Sequence, residues 1–271
     1  MKKTVLVTGA SSGIGRQTAR LFRQNGWNVI ASMRNPENET ELNALENVWV
    51  SRLDVTDQAS IDRTISEGIA RFGTIDALVN SAGYGLFGAF ESIDRPHFQQ
   101  QFDVNVFGLM EMVRAVLPVF RAQKTGVIIN ISSYGGQVAL PFATAYAASK
   151  FAVEGFSESL SHELYPLGIT VKIVEPGSIA TNFRNSMQFV PTQIDDYSPV
   201  VSSFFSRSAT PTAHLQKATE EQVAQTIYLA ATDGKQQLRY VIGDDAQFYI
   251  DQKYKQTDEA FVTAIREYFV N

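Results

Sequence analysis

The sequence predicts a doubly wound α/β fold, a parallel sheet of seven strands with helices on both faces. Three observations predict it. Short β-branched runs alternate with longer patterns whose apolar residues recur at three- and four-residue spacing, giving strand, helix, strand repeated along the chain. The short runs are apolar almost throughout, as strands must be when both faces of their sheet are covered. A glycine-rich turn, TGASSGIG at 8 to 15, joins the first run directly to the first helical pattern.

The elements follow in order. TVLVT (4 to 8) is the first strand, and GRQTARLFRQNG (15 to 26) continues a helix that starts near Ile14. NVIAS (28 to 32) and VWVSRLD (48 to 54) are the next strands, followed by the amphipathic pattern SIDRTISEGIARFG (60 to 73). IDALVN (75 to 80) and GVIINIS (126 to 132) supply the fourth and fifth strands. The helical pattern YAASKFAVEGFSESLSHELY (146 to 165) precedes the sixth, ITVKIVE (169 to 175), and RYVIG (239 to 243) is the seventh. Right-handed crossovers join such strands. The stretch from Asn182 to Pro211 carries Pro191, Pro199 and Pro211 and reads as irregular, a substrate lid over about 182 to 217. Beyond Gly243 a C-terminal extension, about 244 to 271, ends in the helical pattern TDEAFVTAIREYF. No repeat, low-complexity tract or linker divides the chain, so residues 1 to 271 are expected to form one domain.

Composition excludes several classes. A formal net charge of -5 without a long basic run argues against a nucleic-acid or anionic-membrane surface. The absence of cysteine excludes disulfides, thiol catalysis and thiolate metal sites. The apolar run near the N-terminus is too short for a signal-peptide core, and no stretch approaches a membrane span, so a soluble cytoplasmic protein is expected. His97, His162 and His214 show no ligand spacing, and no metal is expected.

In the turn, Gly9, Gly13 and Gly15 let the backbone bend tightly and approach a pyrophosphate, while the following helix aims free amides at it. On the helix that opens at 144, Tyr146 and Lys150 are spaced i, i+4, so a phenol and an ammonium share one face. That pair suits proton chemistry.

These motifs resemble the short-chain dehydrogenase/reductase family, from Thr4 to about Ile179. They arrive in the family's order: TGASSGIG, LDVTD at 53 to 57, NSAG at 80 to 83, Asn105 within DVNVFG, ISS at 131 to 133, Tyr146 with Lys150, and EPGSIAT at 175 to 181. The resemblance implies a Rossmann fold of the single-domain NADP(H)-dependent kind, similar to hydroxysteroid dehydrogenases and ketone reductases. It implies cofactor contacts from Gly9, Ser11, Ser12, Gly13, Ile14, Gly15, Asp54, Val55, Asn80, Ala82, Gly83, Pro176, Gly177, Ile179 and Thr181, together with Tyr146 and Lys150. Asp54 would accept from the adenine amino group, or else cap a turn before Thr56.

The residue types after the second strand bear on the nucleotide. A carboxylate there binds the 2′-hydroxyl of NAD, whereas an arginine accommodates the 2′-phosphate of NADP. Here Met33 and Arg34 follow, and Arg34 offers a planar fork to phosphate, so NADP(H) is expected, with Ser32 and Ser11 as further hydroxyl contacts.

The family's catalytic serine lies 13 residues before its tyrosine, which selects Ser133 over Ser132. The resemblance then implies that Ser133 hydrogen-bonds the substrate oxygen, Tyr146 exchanges a proton with it, and Asn105 kinks its helix and holds a water in a relay past Lys150. A free phenol near ~10 is a poor base at neutral pH, so a shift of roughly 3 units is needed. Lys150 and the positive nicotinamide are expected to lower the Tyr146 phenol by that order.

The expected activity is hydride transfer between NADP(H) and a carbonyl or secondary alcohol. A non-catalytic NADP-binding regulatory module is the alternative. Phe183, Phe189, Phe204 and Phe205 suggest an apolar lid, with Leu86, Phe87, Val138, Leu140 and Phe142 as the opposite wall, hence a lipophilic substrate held in part by Phe189 and Phe204. The helix from 145 to 165 resembles the one through which family members pair, implying a homodimer or homotetramer.

Overall fold

A computed structural model describes residues 2 to 179, 187 to 207 and 212 to 269. Its main sheet has seven strands, all parallel: β1 (Thr4–Val7), β2 (Asn28–Met33), β3 (Val48–Arg52), β4 (Ala77–Asn80), then, past the short strand β5 (Gly85–Gly88), β6 (Gly126–Ile131), β7 (Ile169–Pro176) and, past the short strand β8 (Met187–Val190), β9 (Arg239–Ile242). The order is β3-β2-β1-β4-β6-β7-β9. The chain winds outward from β1 in one direction and from β4 in the other. The loops after β1 and β4 therefore open a crevice at the carboxyl edge, where folds of this kind bind ligands.

The helices are α1 (Gly13–Gln24), α2 (Gln58–Phe72), α3 (Arg95–Phe102), α4 (Gly108–Gln123), α5 (Thr144–Leu164), α6 (Ser198–Arg207), α7 (Glu220–Thr232), α8 (Asp244–Tyr254) and α9 (Asp258–Phe269). Local chemistry sets their ends. Asp57 caps α2 by accepting from the Ala59 amide, and Gly73 ends it in the left-handed region at φ 83°. A reciprocal capping box between Thr219 and Gln222 starts α7.

Alternation along β1 divides the core. Val5 and Val7 face a cluster with Phe22 and Ala19 of α1 and Val223 and Ile227 of α7. Leu6 faces the other cluster, with Ile61 of α2, Val113 and Val116 of α4 and Val153 of α5. Both faces of the strand are sealed, which explains the unbroken apolar reading of the strands. No helix among the described residues is long and apolar enough to cross a membrane.

The segment expected to be irregular has structure of its own. β8 pairs in parallel with β5, Phe87 standing opposite Phe189, and α6 carries Pro199 in its first turn, where a missing N–H costs nothing. The C-terminal extension adds two helices, α8 and α9. They share a third cluster with Val138 and Phe204, whose members Phe261, Ile265 and Phe269 come from α9.

Candidate active site

The glycine turn and the loop after β4 are stitched together by one hydroxyl. Thr8 Oγ1 accepts from the Ser81 and Ala82 amides, each at 3.0 Å. Gly9, at φ 71°, passes so close that a Cβ there would lie 2.9 Å from Ala82 Cα. A Cβ on Gly15 would lie 2.3 Å from the Gly9 carbonyl oxygen, so the first turn of α1 can pack this tightly only with glycine. Gly13 also takes a positive φ, 56°, and Ser12 is the N-cap of α1 with its hydroxyl not used in capping. Ser11 and Gly83 are exposed beside it, and the Ile14 and Ile179 side chains rest on the same core cluster.

Past β2, Met33 is buried in the core and Arg34 is the first exposed residue. Arg34, Asn35, Arg52, Asp54, Asp57, Ser60 and Arg63 line a cavity of about 810 Å³. Two of its arginines were not singled out in the sequence. Arg52 ends β3 in register with Met33, and Arg63 projects from α2, so only the sheet pairing brings them beside Arg34. Ser32 is a correction: it is fully buried and its hydroxyl donates to the Val7 carbonyl at 3.1 Å, so it faces β1 and not the cavity. Asp54 Oδ1 accepts from the amide and the hydroxyl of Thr56, the turn role; Val55 behind it is buried against Gly108.

Asn80, at the end of β4, donates to Asn130 at 2.9 Å, and Asn130 donates to Ser157 at 2.9 Å. Asn80 Oδ1 is buried and meets no donor among the described residues. Asn105 lies in a π-helical turn, residues 103 to 107, that breaks the α-helical path between α3 and α4. Its side chain brackets the Tyr84 backbone, accepting from N–H at 3.1 Å and donating to C=O at 2.9 Å, and also reaches Ser149 Oγ at 3.3 Å. A π-helical turn stands where the kink was expected, and the amide holds the β4 loop against α5.

Ser133 lies in the loop after β6, before the turn at Tyr134–Gly136. Its hydroxyl accepts from the Gly135 amide at 3.0 Å, donates to the Pro176 carbonyl at 3.4 Å, and stands near enough to the Tyr146 phenol to favour its ionised form. Tyr146 stacks obliquely on Phe87, ring centres 5.5 Å apart. Lys150 is buried, donates to the Ile131 carbonyl at 2.8 Å, and stands 5.8 Å from the centre of the Tyr146 ring.

The titration behaviour departs from expectation. Burial raises the Tyr146 phenol above its ordinary value, and Ser133 pulls only partly the other way. Burial is the larger effect on the phenol, and Lys150 gives its hydrogen bond to the Ile131 carbonyl. Burial lowers the Lys150 ammonium to about 8, and Glu154 partly offsets that.

Pro176 and Gly177 pass over α8. A Cβ on Gly177 would lie 2.1 Å from Asp245 Oδ1, and Asp245, fully buried, accepts from the Ser178 amide at 2.7 Å. Asp245 is thus a prop for this loop that the sequence did not disclose. Thr181 lies outside the described residues, as does Phe183.

Of the two aromatics assigned to substrate, Phe204 is corrected. It is buried among Phe142, Phe205 and Phe269, with ring centres 5.3, 5.3 and 5.4 Å away, and so fills the core between α6 and α9. Val138 belongs to that same cluster, and Leu86 is wholly buried with Ile93 and Ala145. Phe189 is 42 % exposed, beside Phe87 and packed on Phe205 at 5.0 Å, which keeps it at the mouth of the crevice.

A dinucleotide fits this crevice on three counts. The glycine turn holds its backbone bare of side chains, Asn80 presents an unsatisfied buried oxygen, and a large cavity beyond β2 gathers three arginines.

Comparison with known proteins agrees. A family model described as short chain dehydrogenase matches residues 3 to 189. A 3-ketodihydrosphingosine reductase of Bacteroides thetaiotaomicron is 38 % identical over 198 residues, 71 % of each chain. A short-chain dehydrogenase from Streptomyces avermitilis superposes with a TM-score of 0.85 at 34 % identity, covering 98 % of this chain and 96 % of that one. The solved structure of ElxO with NADP bound superposes at 0.75 with 28 % identity, covering 89 % and 98 %. With the sheet order, the glycine turn and the serine, tyrosine and lysine in one crevice, these matches establish that the chain belongs to the short-chain dehydrogenase family.

Proposed function

We propose that this oxidoreductase interconverts a lipophilic carbonyl compound and its secondary alcohol using NADP(H). The observation that carries the reading is the meeting of Ser133, Tyr146 and Lys150 in the crevice beneath the glycine turn. The residues that would hold the nucleotide are the turn from Gly9 to Gly15, Asn80, Ala82 and the Pro176–Ile179 segment. Arg34, Arg52 and Arg63 supply positive charge for a 2′-phosphate, where a planar guanidinium can bind two oxygens at once. When bound, NADPH supplies the hydride that goes to the carbonyl carbon.

Every other part of the step falls to the chain. Ser133, positioned by the Gly135 amide, donates to the substrate oxygen as negative charge grows there. Tyr146 transfers its phenolic proton to that oxygen, and a raised phenol is well suited to remain protonated until then. Lys150, buried and tethered to Ile131, places a cation near the tyrosinate that results. In the oxidative direction the same proton moves from alcohol to tyrosinate.

Phe87 and Phe189 give the crevice mouth an apolar wall, which favours lipophilic substrates. The Bacteroides relative, named for a keto substrate, is consistent with reduction of a ketone. Pairing of two or four copies through α5 belongs to the same reading. The test is turnover of NADPH and NADH against ketones graded from small keto acids to cyclic and long-chain ketones. Faster use of NADPH with apolar ketones supports the reading, and a preference for a small charged carbonyl compound overturns its substrate part.

A further inference from the structure

Below Lys150 lies a pair of buried acids that the chemistry above does not use. Glu154 follows Lys150 by one helical turn on α5, and Glu175 comes from the end of β7; they are 5 % and 0 % exposed. Their carboxyls converge on one guanidinium. Arg239 of β9 stands between them, its Nε 3.0 Å from Glu154 Oε2 and 3.6 Å from Glu175 Oε1. Gln137 donates to Glu175 Oε1. The two remaining oxygens, Glu154 Oε1 and Glu175 Oε2, are sealed from solvent and meet no donor among the described residues.

Two ionised carboxylates that share a single guanidinium, each with a buried oxygen lacking a donor, are costly, and a single proton held by the pair supplies a missing donor and relieves the repulsion. We propose that Glu154 and Glu175 hold one proton between them at neutral pH, and that this carboxyl dyad is a positioning unit that sets the charge on the Lys150 ammonium and ties down the Ser133 loop. The second role is visible in the contacts: Gln137 closes the loop that begins at Ser133, and Gly136 packs so closely that a Cβ there would meet Glu154 Cγ at 2.9 Å and the Lys150 carbonyl at 3.1 Å.

The charges facing the dyad are Lys150 on α5 and Arg239 on β9, Arg239 also pairing with Glu158, beside which His162 stands, with Gln137 and Ser132 as neutral neighbours. With one proton bound, the dyad and Arg239 nearly cancel. Lys150 then loses part of the support that Glu154 gives its charge, and burial brings it within reach of deprotonation near neutral pH. Loss of the dyad proton to solvent on the alkaline side adds a negative charge one turn from Lys150 and supports the ammonium there. Burial and Glu154 together hold Glu175 protonated to about 8, so both changes fall in the same range.

This inference takes Tyr146 and Lys150 as the reacting pair, but its test does not depend on turnover. Infrared difference spectroscopy of the full chain is expected to show a carboxylic-acid carbonyl band at pH 7 that fades above about pH 8 and is missing in Glu175→Gln. The titration of Lys150, followed by NMR in protein carrying labelled lysine and assigned with Lys150→Ala, is expected to move about one pH unit lower in Glu154→Gln and less in Glu175→Gln. In an active enzyme the alkaline limb of kcat moves with it. Absence of the acid band in the wild type overturns the dyad, and it can be sought even if a variant does not fold. A uniform fall in kcat with an unmoved Lys150 titration overturns the positioning role. A protein that shows the band and the shift but turns over no carbonyl compound overturns the proposed reaction instead.

Discussion

The Lys150 ammonium gives its hydrogen bond to the Ile131 carbonyl, at 2.8 Å, and stands 5.8 Å from the ring centre of Tyr146. The pair spaced i, i+4 on α5 therefore shares a site without sharing a proton directly. Tyr146→Phe should abolish the proton transfer, lowering kcat by about 10² to 10⁴-fold, while nucleotide binding stays near wild type because the glycine turn is untouched. Turnover kinetics beside NADPH fluorescence titration check it; appreciable residual turnover removes Tyr146 from the mechanism.

Cofactor choice should respond to all three arginines of the cavity past β2. Arg34→Asp places a carboxylate where the 2′-phosphate would lie and should cost about 1 to 3 kcal/mol of NADPH binding with little effect on NADH. Arg52→Ala and Arg63→Ala should each cost less, since each removes one screened charge without placing an opposing one. Isothermal titration with both nucleotides decides this, and unchanged NADPH affinity in Arg34→Asp would reject the assignment.

The two lid phenylalanines should separate cleanly. Phe204→Ala empties a buried site among Phe142, Phe205 and Phe269 and should destabilise the fold by about 3 to 5 kcal/mol. Phe189→Ala, at a half-exposed site, should leave stability within about 0.5 kcal/mol and raise KM for an apolar ketone severalfold. Urea unfolding and steady-state kinetics on the two proteins test the pair, and a large stability loss at Phe189 with none at Phe204 would reverse the placement.

Stability should depend on pH through Glu175. Its carboxyl is raised to about 8 in the fold, above the ordinary carboxylate value it regains on unfolding. The native state thus holds a proton that the unfolded chain has lost between about pH 5 and 8, so this group's contribution is fullest at the acid end and falls as pH rises. The slope is at most about 1.4 kcal/mol per pH unit. Lys150, lowered to about 8, acts oppositely but only above that value, where the native state has already released its proton. Glu175→Gln should flatten the curve of unfolding free energy between pH 5 and 8; an unchanged slope would show that Glu175 is ionised in the fold.

Much of this protein is written in local sequence. Strand positions were legible because the apolar runs, such as Val5 to Val7, are buried on both faces. The glycine turn and the pair Tyr146 with Lys150 were likewise legible, since close backbone approach and one-turn spacing are local requirements, whereas Ser133 was found through the family resemblance. What depends on residues far apart in the chain was decided only by the tertiary structure. Arg52 joins Arg34 through the β2–β3 register, and Asp245 comes under Gly177 from 68 residues away. Phe189 and Phe204 have the same side chain in one aromatic-rich segment, and only the arrival of α9 from the C-terminus buries the second. The environment of Tyr146 belongs to this second group too: spacing places an ammonium beside the phenol, but the desolvation that raises the phenol and the bond that ties Lys150 to the Ile131 carbonyl are set by packing across the sheet edge.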